Sequence, residues 1–569
     1  MWVLGIPVIL LSLAGFGSWA VRGSTSLDAV AVSSLAGALT VMGIFGSLHL
    51  FVAVPRPLTL PTALAGCVLL LRARGRLRID ARDLSRVLAF TLLVVAAYRT
   101  AAIPSRLGRG PLLHYDAFLY HGGLVEWFAH APLPVGLGLL HSRFGFNPGI
   151  VQLMAAFRAP DGSWSHHLLV EASVVTIGLL LTLRAFVAAR DSSAPASAGF
   201  ILGLLLFSLG FLLATAPRAG TDLAAAITAV AAVAAAVVVR SHHDPDRSEA
   251  WLGVLVMLIA LAVMQKASMV GVVTLLAAPF SQRSAVPRGA WFRPAVLIPA
   301  MLAGLSGAIW LLRSFLISGC LAYPFGLSCR DVAWGIGAPT AAIESGVIRS
   351  WARTGTSGGS VETFDMSWLP GWFGSYLSGH SLALVGFVVA GLVAFVLARV
   401  LLRATGEPSG SGFGGLVAVH LLATFLIWFL GAPDPRFAIH LHITISALLA
   451  SSLLAAWTAT GRGPSPIMRR PVSLRRVALL AGATAVTISL LEMNDGPTFP
   501  VSGAIDVEYD ERFAPVVPRQ VGDRTQVEEW KFRVPLQGDQ CGSTIPCTPA
   551  PGDFDVSVNG RRITLFSRD

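Results

Sequence analysis

Between the apolar runs 87–102 and 168–183 lies a block unlike its surroundings. It reads Tyr115-Asp116-Ala117-Phe118-Leu119-Tyr120-His121, then Glu126-Trp127, then His141-Ser142-Arg143-Phe144-Gly145-Phe146-Asn147. An acid, several rings and hydroxyls gathered at a membrane surface are costly to keep without a task. A carboxylate there can accept the proton of an attacking hydroxyl, and Asp116 is the candidate for that role. The alternative is that Asp116 only caps a helix at its N-terminus. If 116–130 is a helix lying in the interface, Asp116, Tyr120 and Gly123 share one face. His121, Glu126, His141, Arg143 and Asn147 are the candidate contacts to a polar substrate. His114, His121, His130 and His141 crowd the same stretch, but their spacing matches no compact ligand pattern, so no metal is expected.

Further cations stand at the ends of apolar runs. Lys266 follows Met264-Gln265 between two such runs, where a lone cation is expensive unless an anion meets it. A lipid-linked phosphate would supply that anion; snorkelling to the interface is the alternative. Asp434 and Arg436 lie in Gly431-Ala432-Pro433-Asp434-Pro435-Arg436-Phe437. A guanidinium suits bidentate phosphate binding, and Asp434 either orients Arg436 or forms only a local ion pair with it. Arg313, near the end of another run, is a third cation for the same anion or an ordinary interfacial arginine. Trp334, Trp351, Trp368 and Trp372 follow it, as interface markers or as platforms for sugar rings.

These residues are held by a chain of 569 residues that is 54% hydrophobic and 13% charged, with a mean hydropathy of +0.69. Soluble proteins carry about a quarter charged residues. The composition therefore implies an all-α polytopic membrane protein. About 14 transmembrane helices of roughly 20 apolar residues each are expected, near 2–20, 29–54, 59–72, 86–102, 168–190, 197–215, 222–240, 251–264, 268–280, 294–313, 381–402, 413–430, 438–457 and 477–492. The runs 251–264 and 268–280 are short, and they read equally as one broken or re-entrant unit. The first run reads as a retained span, since no cleavage-site pattern follows it. The net charge of +11 comes from arginines clustered between runs, which is a topology signal and does not suggest nucleic acid. Only Lys266 and Lys531 are lysines.

The Arg-rich segments 72–78 and 462–476, with Arg184, Arg190, Arg240, Arg247, Arg283 and Arg288, fall on one side in alternating topology. By the positive-inside rule that side is cytoplasmic. The loops 103–167 and 314–380 and the tail then face outward. The expected division is a transmembrane domain over 1–492 and a small extracytoplasmic C-terminal domain over 493–569. Short alternating runs at 554–558 and 562–566 give that domain β-structure. Cys320 with Cys329, and Cys541 with Cys547, form two local pairs on the oxidising side, the pattern of two disulfides.

The block YDAFLYH, followed by PLPVGLGLLHSRFGFN, resembles a group of large bacterial polytopic membrane proteins. The elements at Ser318–Pro324 and Gly538–Pro549 fit the same pattern. These proteins are similar to the integral-membrane, C-type glycosyltransferases that use polyprenyl-phosphate sugars. The resemblance implies a C-type glycosyltransferase-like fold, with Asp116 as base and Lys266 and Arg436 as phosphate binders. In those transferases the acid follows the first span and is often paired. Here it follows about the fourth and stands beside Tyr115 and Ala117, and three added N-terminal spans would reconcile the positions.

The expectation is a glycosyltransferase of the bacterial inner membrane with an outward-facing site. It moves a sugar from a polyprenyl-phosphate-linked donor to a glycan or lipid acceptor. Membrane lipids are its surroundings, nucleic acid is not a partner, and no cofactor is needed, since no glycine-rich phosphate loop occurs. An O-antigen-type polymerase or ligase is one rival. A polysaccharide or lipid transporter or flippase is the other; it would carry charged groups deep in several spans.

Overall fold

A computed structural model describes residues 2–20, 27–55, 58–77, 85, 87–96, 98, 116–158, 165–191, 195–215, 221–280, 284–355, 365–378 and 414–459, with strands at 509–515, 519–521, 524–526, 529–535, 554–559 and 562–567. The chain is mostly helical. In chain order the helices are α1 (Trp2–Gly17), α2 (Leu27–Phe51), α3 (Thr59–Leu77), α4 (Val87–Ala96), α5 (Gly122–His130), α6 (Leu137–Leu140), α7 (Ile150–Ala156) and α8 (Ser165–Asp191). They continue as α9 (Pro195–Thr215), α10 (Asp222–Ser241), α11 (Pro245–Gln265), α12 (Pro294–Ser318), α13 (Ala338–Thr354), α14 (Leu369–Ser378), α15 (Gly414–Gly431) and α16 (Ile439–Ala459). Among the described residues six helices are long and apolar enough to cross a membrane, namely most of α2 and α8, and α10, α11, α12 and α15. The expected runs at 381–402 and 477–492 lie outside the described residues.

The centre of the bundle is α10. Every residue from Leu223 to Val239 is buried, and most are Ala or Val. A helix apolar on all faces has no solvent side, and small side chains let α8, α9, α11 and α16 pack around it. Close approach also organises α1, α2 and α3. A Cβ on Gly15 would collide with the Gly66 carbonyl, and one on Gly37 with the Leu13 carbonyl. Where lipid tails are as apolar as leucine, such backbone proximity is the main source of helix attraction. Outer helices look different. On α12, Met301 and Leu305 are exposed, and on α15, Val419 and Leu422, as suits faces turned to hydrocarbon.

Two departures from regular α-helix bear on the site. The short run after Lys266 is a 3₁₀ helix, Ala267–Phe280, not an α-helix. At about 2.0 Å rise per residue its 14 residues cover roughly 28 Å, so tighter winding lets a short run reach across the hydrocarbon. Lys266, extended between α11 and this helix, is the joint of a broken unit. The other departure is a π-helical turn, Ala117–His121, immediately before α5. Residues Gly122–Phe128 of α5 are buried in the protein, so this helix does not lie on an interface with a free polar face as the sequence pattern suggested.

Beyond the helices, the alternating runs expected to give β-structure are strands β5 (Phe554–Asn559) and β6 (Arg562–Ser567), paired as an antiparallel hairpin. Strands β1 (Tyr509–Pro515) and β4 (Glu529–Pro535) pair in the same sense, as do β2 (Arg519–Val521) and β3 (Arg524–Gln526). The β5–β6 hairpin is fastened to the body: Val135 N–H donates to the Ile563 carbonyl at 3.1 Å, and Leu565 N–H donates to the Val135 carbonyl at 2.9 Å. Cys320 and Cys329 form a disulfide just past the end of α12, which Gly319 closes in the left-handed conformation at φ 74°. Cys541 and Cys547 lie outside the described residues.

Candidate functional site

Asp116 occupies the position before the π turn, yet its side chain makes no capping hydrogen bond to that turn. The carboxylate instead meets two guanidinium groups, Arg143 Nη1 at 3.5 Å from Oδ1 and Arg436 Nη1 at 3.6 Å from Oδ2. Of the two readings of Asp116, helix cap and member of a charged site, this geometry fits the second. One wide π turn carries Tyr120 round beside Asp116; such turns recur at functional sites. Burial, then the charge of Asp116, pushes the Tyr120 hydroxyl well above its ordinary range, so it stays a neutral phenol.

Arg436 is the hub. Its Nε lies 3.8 Å from Asp434 Oδ1 and 3.9 Å from Asp222 Oδ2. Asp434 caps the short 3₁₀ turn Pro435–Ala438 by accepting from the Arg436 backbone N–H at 2.8 Å, which fixes the arginine's starting direction. Asp434 thus both orients Arg436 and pairs with it. The guanidinium also faces the Trp351 and Phe437 rings, each 4.7 Å from its central carbon. Burial works against the Arg436 charge, but Asp222, Asp434 and Asp116 outweigh it and raise its proton affinity. Burial pushes Asp434 above the usual carboxylate range, with Arg436 pulling the other way. Lys266 pairs with Asp222 Oδ1 and sits 3.6 Å above the Phe437 ring.

Arg143 completes the arrangement. It hangs from the 3₁₀ turn Ser142–Phe146, whose start is capped when the Arg143 N–H donates to His141 Nδ1 at 3.1 Å. Glu344 of α13 accepts from Arg143 Nε at 3.2 Å and from the Ser142 hydroxyl at 3.0 Å. Three cations and four carboxylates thus converge from six separate stretches of chain. The side chains of Asp116, Arg143, Asp222, Lys266 and Arg436 each keep between 17% and 28% exposure, so the cluster is reachable. Among the described residues no group of three or more His, Cys, Asp or Glu is set to hold a metal ion.

Of the residues singled out from sequence, Asp116, Arg143, Lys266, Asp434 and Arg436 come together. His141 contributes as the cap under Arg143, and His121 is buried edge-on to Tyr120 at 4.2 Å. Three others are placed elsewhere. Glu126 pairs with buried Arg158 at 3.4 Å. Asn147, in the left-handed conformation at φ 41°, donates to the Trp310 carbonyl at 3.2 Å and the Ser314 hydroxyl at 3.1 Å. It is buried and ties its turn to α12. Arg313 is buried within α12, donating to His49 Nδ1 at 3.1 Å with its guanidinium over Phe128. Arg313 is thus tied to α2 and α5 and does not join the charge cluster around Arg436.

Asp222 and Glu344 were missed. Asp222 begins an apolar run, where the first turn of any helix favours an acid and no further reason for it shows in the sequence. Glu344 had no distinguishing neighbours. Among the four tryptophans, Trp368 and Trp372 are buried together in an aromatic cluster with Trp428 and Phe429, whereas Trp351 is 40% exposed and touches Arg436.

The span-length helices and the charge cluster at their ends define a multi-pass membrane protein with a polar site at one end of the bundle. The chain belongs to the family described as a domain of unknown function, DUF8201, whose model matches residues 1–443. That match includes the whole charge cluster and stops before the β-strands. No curated protein and no solved structure matches the chain.

Proposed function

We propose that the protein is a C-type glycosyltransferase-like enzyme that moves a sugar from a polyprenyl-phosphate-linked donor to a glycan or lipid acceptor. The observation that carries this reading is the ion pair between Asp116 and Arg436, with Lys266 alongside. It puts a carboxylate able to take a hydroxyl proton beside cations able to hold a leaving phosphate. Asp116 deprotonates the acceptor as the anomeric carbon separates from the phosphate oxygen. Arg436 and Lys266 stabilise the charge that develops on that oxygen, and Arg143 fixes the carboxylate. In this reading the chain has about 14 spans and lies in the bacterial inner membrane. The cluster and the tail face outward, as the arginine-rich segments on the opposite side require.

The test is transfer in liposomes. Purified protein is supplied with polyprenyl-phosphate glucose, mannose or arabinose and a membrane-extract acceptor, and new glycosidic linkages are followed by radiolabel. Transfer that requires Asp116 supports the reading.

A lipid-linked glycan transporter is a second reading. It is favoured by ionisable groups buried inside the helices, Glu171 in α8, His420 in α15 and His440 in α16. Flux across the same liposomes with no new linkage would select it.

A further inference from the structure

Asp222 bridges the two cations assigned to phosphate, with Oδ1 on Lys266 and Oδ2 3.9 Å from Arg436 Nε. Two oxygens on one centre, each turned to a different cation, is the arrangement that two non-bridging oxygens of a phosphate would adopt in the same place. The Phe437 ring lies against both cations, 3.6 Å from Lys266 Nζ and 4.7 Å from the Arg436 central carbon. We propose that Asp222 occupies the subsite of the donor phosphate, and that a phosphodiester monoanion binds by displacing this carboxylate from Lys266 and Arg436. The inference rests on the glycosyltransferase reading and specifies its donor.

Charge selects the ligand class. Asp434 cannot leave, because its carboxylate also caps the turn that carries Arg436. With Asp222 turned away, Arg436 still faces Asp434 and Asp116, and the subsite has lost one negative charge. A sugar phosphodiester on a prenyl alcohol carries one negative charge, the same as the carboxylate it displaces. A diphosphate carries more and would meet Asp434 and Asp116 as like charges. Asp222 is the first residue of α10, so rotation about its Cα–Cβ bond frees the cations without moving the helix. The carboxylate also keeps two neighbouring cations from repelling one another in the unloaded protein.

A competing carboxylate and a supporting one predict opposite signs, and binding in detergent separates them. Farnesyl methyl phosphate, a lipid phosphodiester, and inorganic phosphate are titrated against the full chain and against Asp222→Asn and Asp222→Glu. Unfolding midpoints confirm that each variant is folded. Asp222→Asn should bind the lipid phosphodiester about tenfold tighter, the size of a modest charge contact removed. Asp222→Glu keeps a competing charge and should not tighten, and Lys266→Ala should abolish the gain. Weaker or unchanged binding by Asp222→Asn would overturn the displacement while leaving the glycosyltransferase reading intact. Tightening for inorganic phosphate but not for the lipid diester would overturn the assignment of the subsite to a lipid carrier. If the full chain and Asp222→Asn both fail to bind either probe, the phosphate reading itself is lost.

Discussion

Glu344 holds the Arg143 segment at two points, taking the guanidinium Nε at 3.2 Å on one oxygen and the Ser142 hydroxyl at 3.0 Å on the other. Arg143 is thereby presented to Asp116. Since the pair is partly exposed, its energy is small, of order 1 kcal/mol or less, and its importance is directional. Glu344→Gln keeps the hydrogen-bonding shape but drops the charge. It should lower turnover by roughly three- to tenfold, on the scale of one lost ion pair, with the unfolding midpoint nearly unchanged. A midpoint that fell as far as the activity would assign Glu344 to the scaffold.

Asp116→Asn preserves size and removes the base. Turnover should fall by roughly 10²–10⁴-fold while donor affinity stays near that of the unaltered chain. Steady-state transfer and donor titration on the same preparation check both halves. Full transfer by the variant would require another base.

Arg436→Ala and Lys266→Ala should act on binding first. Each deletes a charge-assisted contact worth about 1.5–3 kcal/mol, or roughly 10–100-fold in donor affinity. Arg436→Lys should rescue only part, because an ammonium cannot address Asp116, Asp222 and Asp434 from several nitrogens at once. Affinities for all three variants equal to that of the unaltered chain would remove these cations from the phosphate site.

Glu126→Ala should destabilise the fold without changing the chemistry. It strands Arg158, whose side chain is 1% exposed, and breaking a buried pair costs on the order of 3–5 kcal/mol. The unfolding midpoint should drop clearly, and activity per folded molecule should hold. A variant as stable as the parent but inactive would return Glu126 to the substrate site.

Acid should selectively loosen the turn before α14. The Ser367 backbone N–H and then its hydroxyl, each 2.9 Å from the Asp365 carboxylate, hold that carboxyl below its usual range. A depressed acid contributes stability above its unfolded value and loses it as pH falls through the folded one. The gap in unfolding midpoint between the unaltered chain and Asp365→Ala should therefore be present at neutral pH. It should close as pH drops below the ordinary carboxylate value of about 4. A gap that persisted in acid would mean the turn does not depend on the charge.

Much of the helical pattern was legible because an apolar run in a membrane has few alternatives to a helix. Its winding was not: nothing in Ala267–Phe280 separates 3₁₀ from α geometry in composition, and the choice reflects packing against α15, where Gly271 meets Thr424 closely. Asp116, Arg143, Lys266, Asp434 and Arg436 stood out because each interrupts or ends an apolar stretch. Asp222 did so too, but the first turn of a helix gives an acid a sufficient local reason to be there. Glu126, Asn147 and Arg313 looked alike as candidates, and only their partners Arg158, Trp310 and His49, remote in sequence, reveal a scaffolding role.

The bonds between Val135 and the β5–β6 hairpin join an early stretch of the chain to one made much later. During biosynthesis the segment leading from α5 to α6, which carries His141 and Arg143 onward, must wait without that partner until the hairpin has been made. The helices can insert in order as they leave the ribosome, but this seam closes late. A truncated product lacking residues 554–567 would sit in the membrane with its bundle assembled and this seam unsealed, a ready mark by which quality-control proteases could tell an unfinished copy from a finished one.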